Sequence, residues 1–142
     1  MVLVLIFFVA QNYKYKTLSE ILDIKKLESV DKPIEQANGL PNECYTSSDY
    51  LDYEKERVFC DKWTVVGVGS SISRPGDVKP YNLLGIPLLL IRDKDMRIRV
   101  FHNVCSHRGF KLIDEECSLK NVIRCPYHSW SYDFKGNLVA TP

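Results

Sequence analysis

Cys105 and His107 sit in VCSHRG, and Cys125 and His128 sit in CPYHSW, with seventeen residues between the pairs. Each pair falls where a predicted strand runs out into a loop. A β framework that brings the two loops face to face places two thiolates and two imidazoles around one small volume.

Three readings of such a quartet compete. In a [2Fe–2S] core, replacing two of four thiolates by neutral imidazoles raises the oxidised charge from about −2 to about zero. An electron then enters more easily, and the potential moves from about −400 mV into the range of about −150 to +300 mV. In that arrangement both histidines bind one iron and both cysteines the other, so each loop supplies one ligand of each kind, as the two pairs here do. Structural zinc also takes two cysteines and two histidines, but usually as C-x₂₋₄-C followed by H-x₃₋₅-H. The third reading is four unrelated core residues, the usual fate of a lone histidine in a strand.

The surrounding pattern is that of short strands. WTVVGVG (63–69), VKPYNLLG (78–85), IPLLLIR (86–92), RIRVFHNV (97–104), NVIRC (121–125) and SWSYD (129–133) read as strands, and LVATP (138–142) begins another. SRPGD, DKDM and FKGN read as the turns between them, with Gly136 suited to positive φ. In the strand of residues 97–104, Ile98, Val100 and His102 share one face, which makes His102 a structural histidine on the core side. Upstream, TLSEILDIKKLESV (17–30) reads as a helix with Thr17 and Glu20 at capping-box spacing. Residues 31–48 read as an irregular linker, and a second helix from about Asp49 to Cys60 turns Leu51, Val58 and Phe59 inward. The fold class is therefore mostly β, an antiparallel sandwich or barrel preceded by N-terminal helices. The division is an N-terminal arm over 1–46 and a β domain with its lead-in helix over 47–142.

Lysine and arginine number 19 against 18 aspartate and glutamate, with no basic block, so neither nucleic acid nor an anionic membrane is implied as partner. The opening MVLVLIFFVA is wholly apolar but too short to span a bilayer and lacks a basic lead, which favours a buried strand or a spurious start over export. Five cysteines at irregular spacing make a poor disulfide framework and fit a reducing, cytoplasmic setting. Cys44, Cys60 and Cys117 read as plain side chains, because four ligands already complete a site. Trp130 and Tyr132 read as packing, and Arg108 and Lys111 as solvated charges with a lesser claim to dock an acidic electron donor.

FHNVCSHRG and CPYHSWSYDFKGNL resemble the Rieske signature of the ring-hydroxylating and related Rieske non-haem iron oxygenases, in the N-terminal part of their α subunit. LPNECYTSSDYLDYEKERVFCDKWTVVGVGSSI and the LLGIPLLLIRDKD stretch are similar to the lead-in of those subunits, so the likeness runs from Leu40 to Pro142. The resemblance implies a Rieske-type β fold holding one [2Fe–2S] cluster, with Cys105 and Cys125 on an inner iron and His107 and His128 on an outer one. It implies a tight turn at Gly109 and a loop stiffened by Pro126. It also implies an oxygenase α subunit acting with O₂ on an aromatic or small organic substrate. The mononuclear Fe(II) of such a subunit lies in a separate C-terminal domain, which this stretch does not contain. Electrons would come from a ferredoxin or flavin reductase, and the full-length protein would form a homotrimer or larger assembly. A free-standing Rieske ferredoxin-type electron carrier is the alternative, against which the long helical lead-in before Trp63 argues; a structural zinc module is a third.

Compared with high-potential Rieske proteins of respiratory complexes, the extra loop cysteines are replaced by Phe110 (or Gly109) and Tyr127, and a serine that donates to a cluster sulfide by Trp130. Loss of that donor points to the low end of the Rieske potential range.

Overall fold

The computed structural model describes residues 3–6 (backbone only), 16–60 and 62–142. The chain divides into two compact units, residues 7–64 and residues 1–6 with 65–142.

The first unit is helical, in shorter pieces than the sequence suggests. The stretch 17–30 is not one helix: α1 (Leu18–Ile21) ends where Leu22 turns extended, and a 3₁₀ segment runs over Ile24–Ser29. The capping box forms, with the Thr17 N–H and hydroxyl both donating to one Glu20 carboxylate oxygen at 2.7 and 2.8 Å. The break follows from Asp23, whose carboxylate accepts from the Lys25 N–H at 3.1 Å and so caps a new segment instead of continuing the old one. Within 31–48, read as linker, α2 (Glu43–Thr46) forms and buries Cys44. Then α3 (Ser48–Glu54) starts at Ser47, whose hydroxyl accepts from the Tyr50 N–H. It continues as a π-helical turn over Lys55–Phe59, closed by Cys60 N–H on the Lys55 carbonyl at 2.8 Å. That wider turn shifts the phase of everything after it. Leu51 and Val58, expected to face inward, are exposed instead, while Phe59, also expected inward, is half-buried, as are Tyr50 and Tyr53.

Among the described residues, the second unit carries nine strands in three sheets. Residues 3–6 of the apolar opening run form β1 (Leu3–Ile6), paired with β2 (Thr64–Val68); residues 7–10 of that run lie outside the described residues. A four-stranded antiparallel sheet has the order β5 (Ile98–His102), β4 (Ile86–Arg92), β3 (Asp77–Leu83), β6 (Cys117–Ser118). A three-stranded sheet runs β7 (Ile123–Arg124), β8 (Ser131–Tyr132), β9 (Leu138–Ala140). The antiparallel β class read from the pattern holds; β6, two residues long, carries no periodic signal and was not expected.

β4 is apolar on both faces because both are covered. Leu89 and Ile91 point into a core shared with Val78, Leu112, Ile123, Phe134 and the two cysteines of the loops. Leu88 and Leu90 are equally buried on the opposite face, where Gly67 of β2 leaves room for Leu90. Burying each of these side chains contributes roughly 2 kcal/mol. The register puts Phe101 opposite Leu89, so Phe101 packs on the core and the next residue, His102, is exposed. The core face of β5 is thus the other one from that expected: alternation alone cannot say which face of a strand is inside when both carry an apolar residue.

Candidate metal centre

The two loops that carry the Cys–His pairs are built alike. In the first, Cys105 N–H donates to the Phe110 carbonyl at 2.7 Å and Gly109 N–H to the Cys105 carbonyl at 2.9 Å. In the second, Cys125 N–H donates to the Trp130 carbonyl at 2.8 Å and Ser129 N–H to the Cys125 carbonyl at 3.0 Å. Both loops need a left-handed residue to close, Gly109 at φ 69° and Ser129 at φ 61°. Glycine does this freely; Ser129 does it under strain, with its hydroxyl accepting from Arg124 at 2.9 Å and its carbonyl accepting from the Ser131 hydroxyl.

The first loop is further tied at its base by Asn103, which is fully buried. Its backbone N–H donates to the Pro87 carbonyl, its amide NH₂ to the Ile113 carbonyl at 2.6 Å, and its amide oxygen accepts from the N–H groups of Leu112 and Ile113. A polar residue at a core position two before Cys105 is the sequence signal of such a tie.

These loops bring all four predicted side chains together, as two pairs. The Cys105 and Cys125 side chains are both buried in the same core cluster. The His107 and His128 rings meet edge to face with centroids 4.9 Å apart, His107 exposed and His128 half-buried. Among the described residues no three His, Cys, Asp or Glu side chains surround a point that one ion could occupy. A tetrahedral zinc centre needs four ligands on one ion, whereas a binuclear cluster asks for two pairs.

The electrostatics favour ligation. Burial pushes the Cys105 thiol up, but the Tyr132 hydroxyl, the His107 and Arg108 N–H groups and the Cys125 side chain together hold it below the usual thiol range, towards thiolate. Burial, with the neighbouring His128 and Arg108, lowers His107 and favours the neutral imidazole that can bind a metal. His128 Nδ1 is buried with no hydrogen-bond partner. A buried ring nitrogen left unpaired costs about 1–3 kcal/mol, and a metal at that atom would satisfy it. The donor set therefore fits a [2Fe–2S] group with two thiolates and two imidazoles.

One residue read as packing does more. Tyr132 OH lies 3.2 Å from Cys105 Sγ, 2.8 Å from Ser106 Oγ, and accepts from the Ser106 N–H at 3.1 Å. A phenol has one proton; a thiolate can only accept, so that proton goes to sulfur and Ser106 donates to the phenol oxygen. No spacing rule flags this contact, because Tyr132 arrives from β8, 27 residues away in sequence. Of the other residues weighed, Cys44, Cys60 and Cys117 are free thiols, and Lys111 pairs with Asp114 at 3.1 Å.

Comparison with known proteins gives a consistent picture. The sequence profile of the Rieske [2Fe-2S] domain matches residues 62–142. The carnitine monooxygenase oxygenase subunit of Acinetobacter pittii is 41% identical over 98 residues, covering 69% of this chain and 26% of that protein. Benzene 1,2-dioxygenase subunit alpha of Pseudomonas putida is 32% identical over 134 residues, 94% of this chain and 27% of that protein. Among solved structures, a quaternary ammonium Rieske monooxygenase in complex with γ-butyrobetaine superposes with a TM-score of 0.72 at 36% identity, covering 84% of this chain and 33% of that one. Naphthalene 1,2-dioxygenase from Rhodococcus sp. bound to indole gives 0.72 at 30% identity, covering 83% and 26%. The chain spans about a quarter of the length of the curated relatives it matches.

Proposed function

The chain belongs to the Rieske [2Fe-2S] domain family, and on that premise we propose that it passes single electrons through one such cluster as part of an oxygenase α subunit. Cys105 and Cys125 hold the inner iron and His107 and His128 the outer one. The observation that carries this reading is the sorting of the four side chains into a buried sulfur pair and an outward imidazole pair. The group supplies a one-electron couple when bound. The chain's own residues orient it: the two matched loops present the ligands, and Tyr132 directs its proton to the Cys105 sulfur. The imidazole end faces solvent, and electrons enter and leave there.

Oxygen chemistry of this class needs a mononuclear iron on two histidines and a carboxylate. The sequence has three histidines, and two are committed to the quartet. That iron therefore belongs to another part of the full-length protein, together with the substrate site. The similarity to oxygenase subunits supports this assignment, and a quaternary amine or an aromatic ring is the substrate class the relatives suggest. A ferredoxin or flavin reductase supplies the electrons, and subunits of the full-length protein associate as a homotrimer or larger assembly.

Metal and acid-labile sulfide analysis of anaerobically purified protein tests the cluster. Two irons with two sulfides, and a rhombic paramagnetic signal on dithionite reduction, are expected; one zinc without sulfide would overturn it. A third iron per full-length polypeptide separates the oxygenase from a simple carrier. His107→Cys lowers the potential markedly while a cluster is retained, whereas Cys44→Ser leaves the visible spectrum as it was.

A further inference from the structure

Aromatic contacts span the two loops where no disulfide does, all five cysteines being free. The Trp130 indole of the second loop lies flat over the His107 imidazole of the first, centroids 4.8 Å apart at 14°. Phe110 of the first loop meets Tyr127 of the second at 5.3 Å, and Tyr127 in turn meets His128 at 3.8 Å. Of the two imidazoles, His107 is the exposed one, and an exposed imidazole turns broadly about χ2 unless something fixes its plane. Trp130 is well placed to do that. Its carbonyl accepts the Cys125 N–H, so the residue is tied to the sulfur-bearing position of one loop while its ring covers the imidazole of the other.

We propose that Trp130 is a positioning residue for His107, setting the plane of the imidazole and closing one side of the site to water. Stacking at this separation favours a near-parallel ring over any other plane, and the orientation of a metal-bound imidazole tunes the metal that it holds. The inference rests on the ligand set proposed above.

The test compares Trp130→Ala, Trp130→Leu and Trp130→Phe in the anaerobically purified holoprotein, by iron and sulfide content, g-values of the reduced state and reduction potential. All three are expected to keep two irons and two sulfides. Ala and Leu, which lack a flat face, shift and broaden the g-values; Phe restores them towards the parent. Ala also raises the potential, since reduction adds a negative charge that admitted water stabilises. Parental g-values and potential in folded Ala or Leu variants would overturn the proposal. If Ala does not fold, Leu against Phe decides. A missing rhombic signal in the unsubstituted protein is a different failure, that of the cluster assignment itself.

Discussion

Two residues show how much one side chain can contribute at this site. Tyr132 aims its single proton at the sulfur of Cys105, and a hydrogen bond to a ligand sulfur stabilises the more negative, reduced state. Tyr132→Phe therefore lowers the reduction potential. A differential of roughly 1 kcal/mol corresponds to about 40 mV for one electron, which protein-film voltammetry reads directly. This contact acts in the opposite direction to the loss of a donor at Trp130. Ser129 contributes in the opposite sense, because it holds φ 61° with a β-carbon in place. Ser129→Gly removes a strain of roughly 1 kcal/mol and loses an exposed hydrogen bond worth less, so the midpoint of chemical denaturation rises. The matching position in the other loop behaves inversely: Gly109→Ala has open space for its methyl but takes a strained φ, and lowers the midpoint by a similar amount.

At the scale of elements, the two Cys–His loops are one design used twice, with the histidine two residues after the cysteine in one and three in the other. Their equivalence was hidden in sequence because it lies in hydrogen bonds and in a positive φ that glycine serves once and serine once. The elements beneath them depend on close backbone approach. Gly76 donates to the Arg92 carbonyl and accepts from the Leu119 N–H at 2.8 Å, at φ 91°, and a β-carbon there would sit 2.0 Å from the Leu119 carbonyl oxygen. Gly76→Ala is expected to separate the β6 edge from β3 and cost more than about 3 kcal/mol, seen as a large drop in thermal midpoint. Strands β2 to β5 were legible because their apolar residues alternate or run continuously between turn residues. The helical pieces were less so: Asp23 restarts a helix that the apolar spacing would have continued, and the π turn after Glu54 changes which side chains face in.

At the scale of the molecule, acid stability follows from carboxylates set into turns of the β unit. Asp93 is fully buried; burial pushes its carboxyl up, but Arg99 Nε at 2.6 Å and the N–H groups of Arg97 and Asp95 outweigh this and hold it low. Asp77 is held low by the Ser118 hydroxyl and the Arg74 N–H, and Asp133 by the side chain and N–H of Asn137 with the Lys135 N–H. A carboxyl whose pKa is lower folded than unfolded contributes stability above its unfolded pKa and loses it as pH falls through the folded one. The carboxylate contribution to the urea midpoint should therefore be lost as pH falls below about 4. Asp93→Asn is expected to be less stable than the parent at pH 7, with the gap narrowing in acid. Among the described residues no helix is long and apolar enough to cross a membrane. What the sequence by itself determined was the pairing of a cysteine with a histidine in each of two loops, the antiparallel β class and most strand positions. Those follow from residue type, spacing and period, which are local. What only the tertiary structure decided was which partners meet: the hydroxyl of Tyr132 on Cys105, the indole of Trp130 on His107, Asn103 across the base of its loop, and Phe101 in place of His102 on the core. Those depend on strand register and loop closure, which set distances between residues far apart in the chain and leave no period along it.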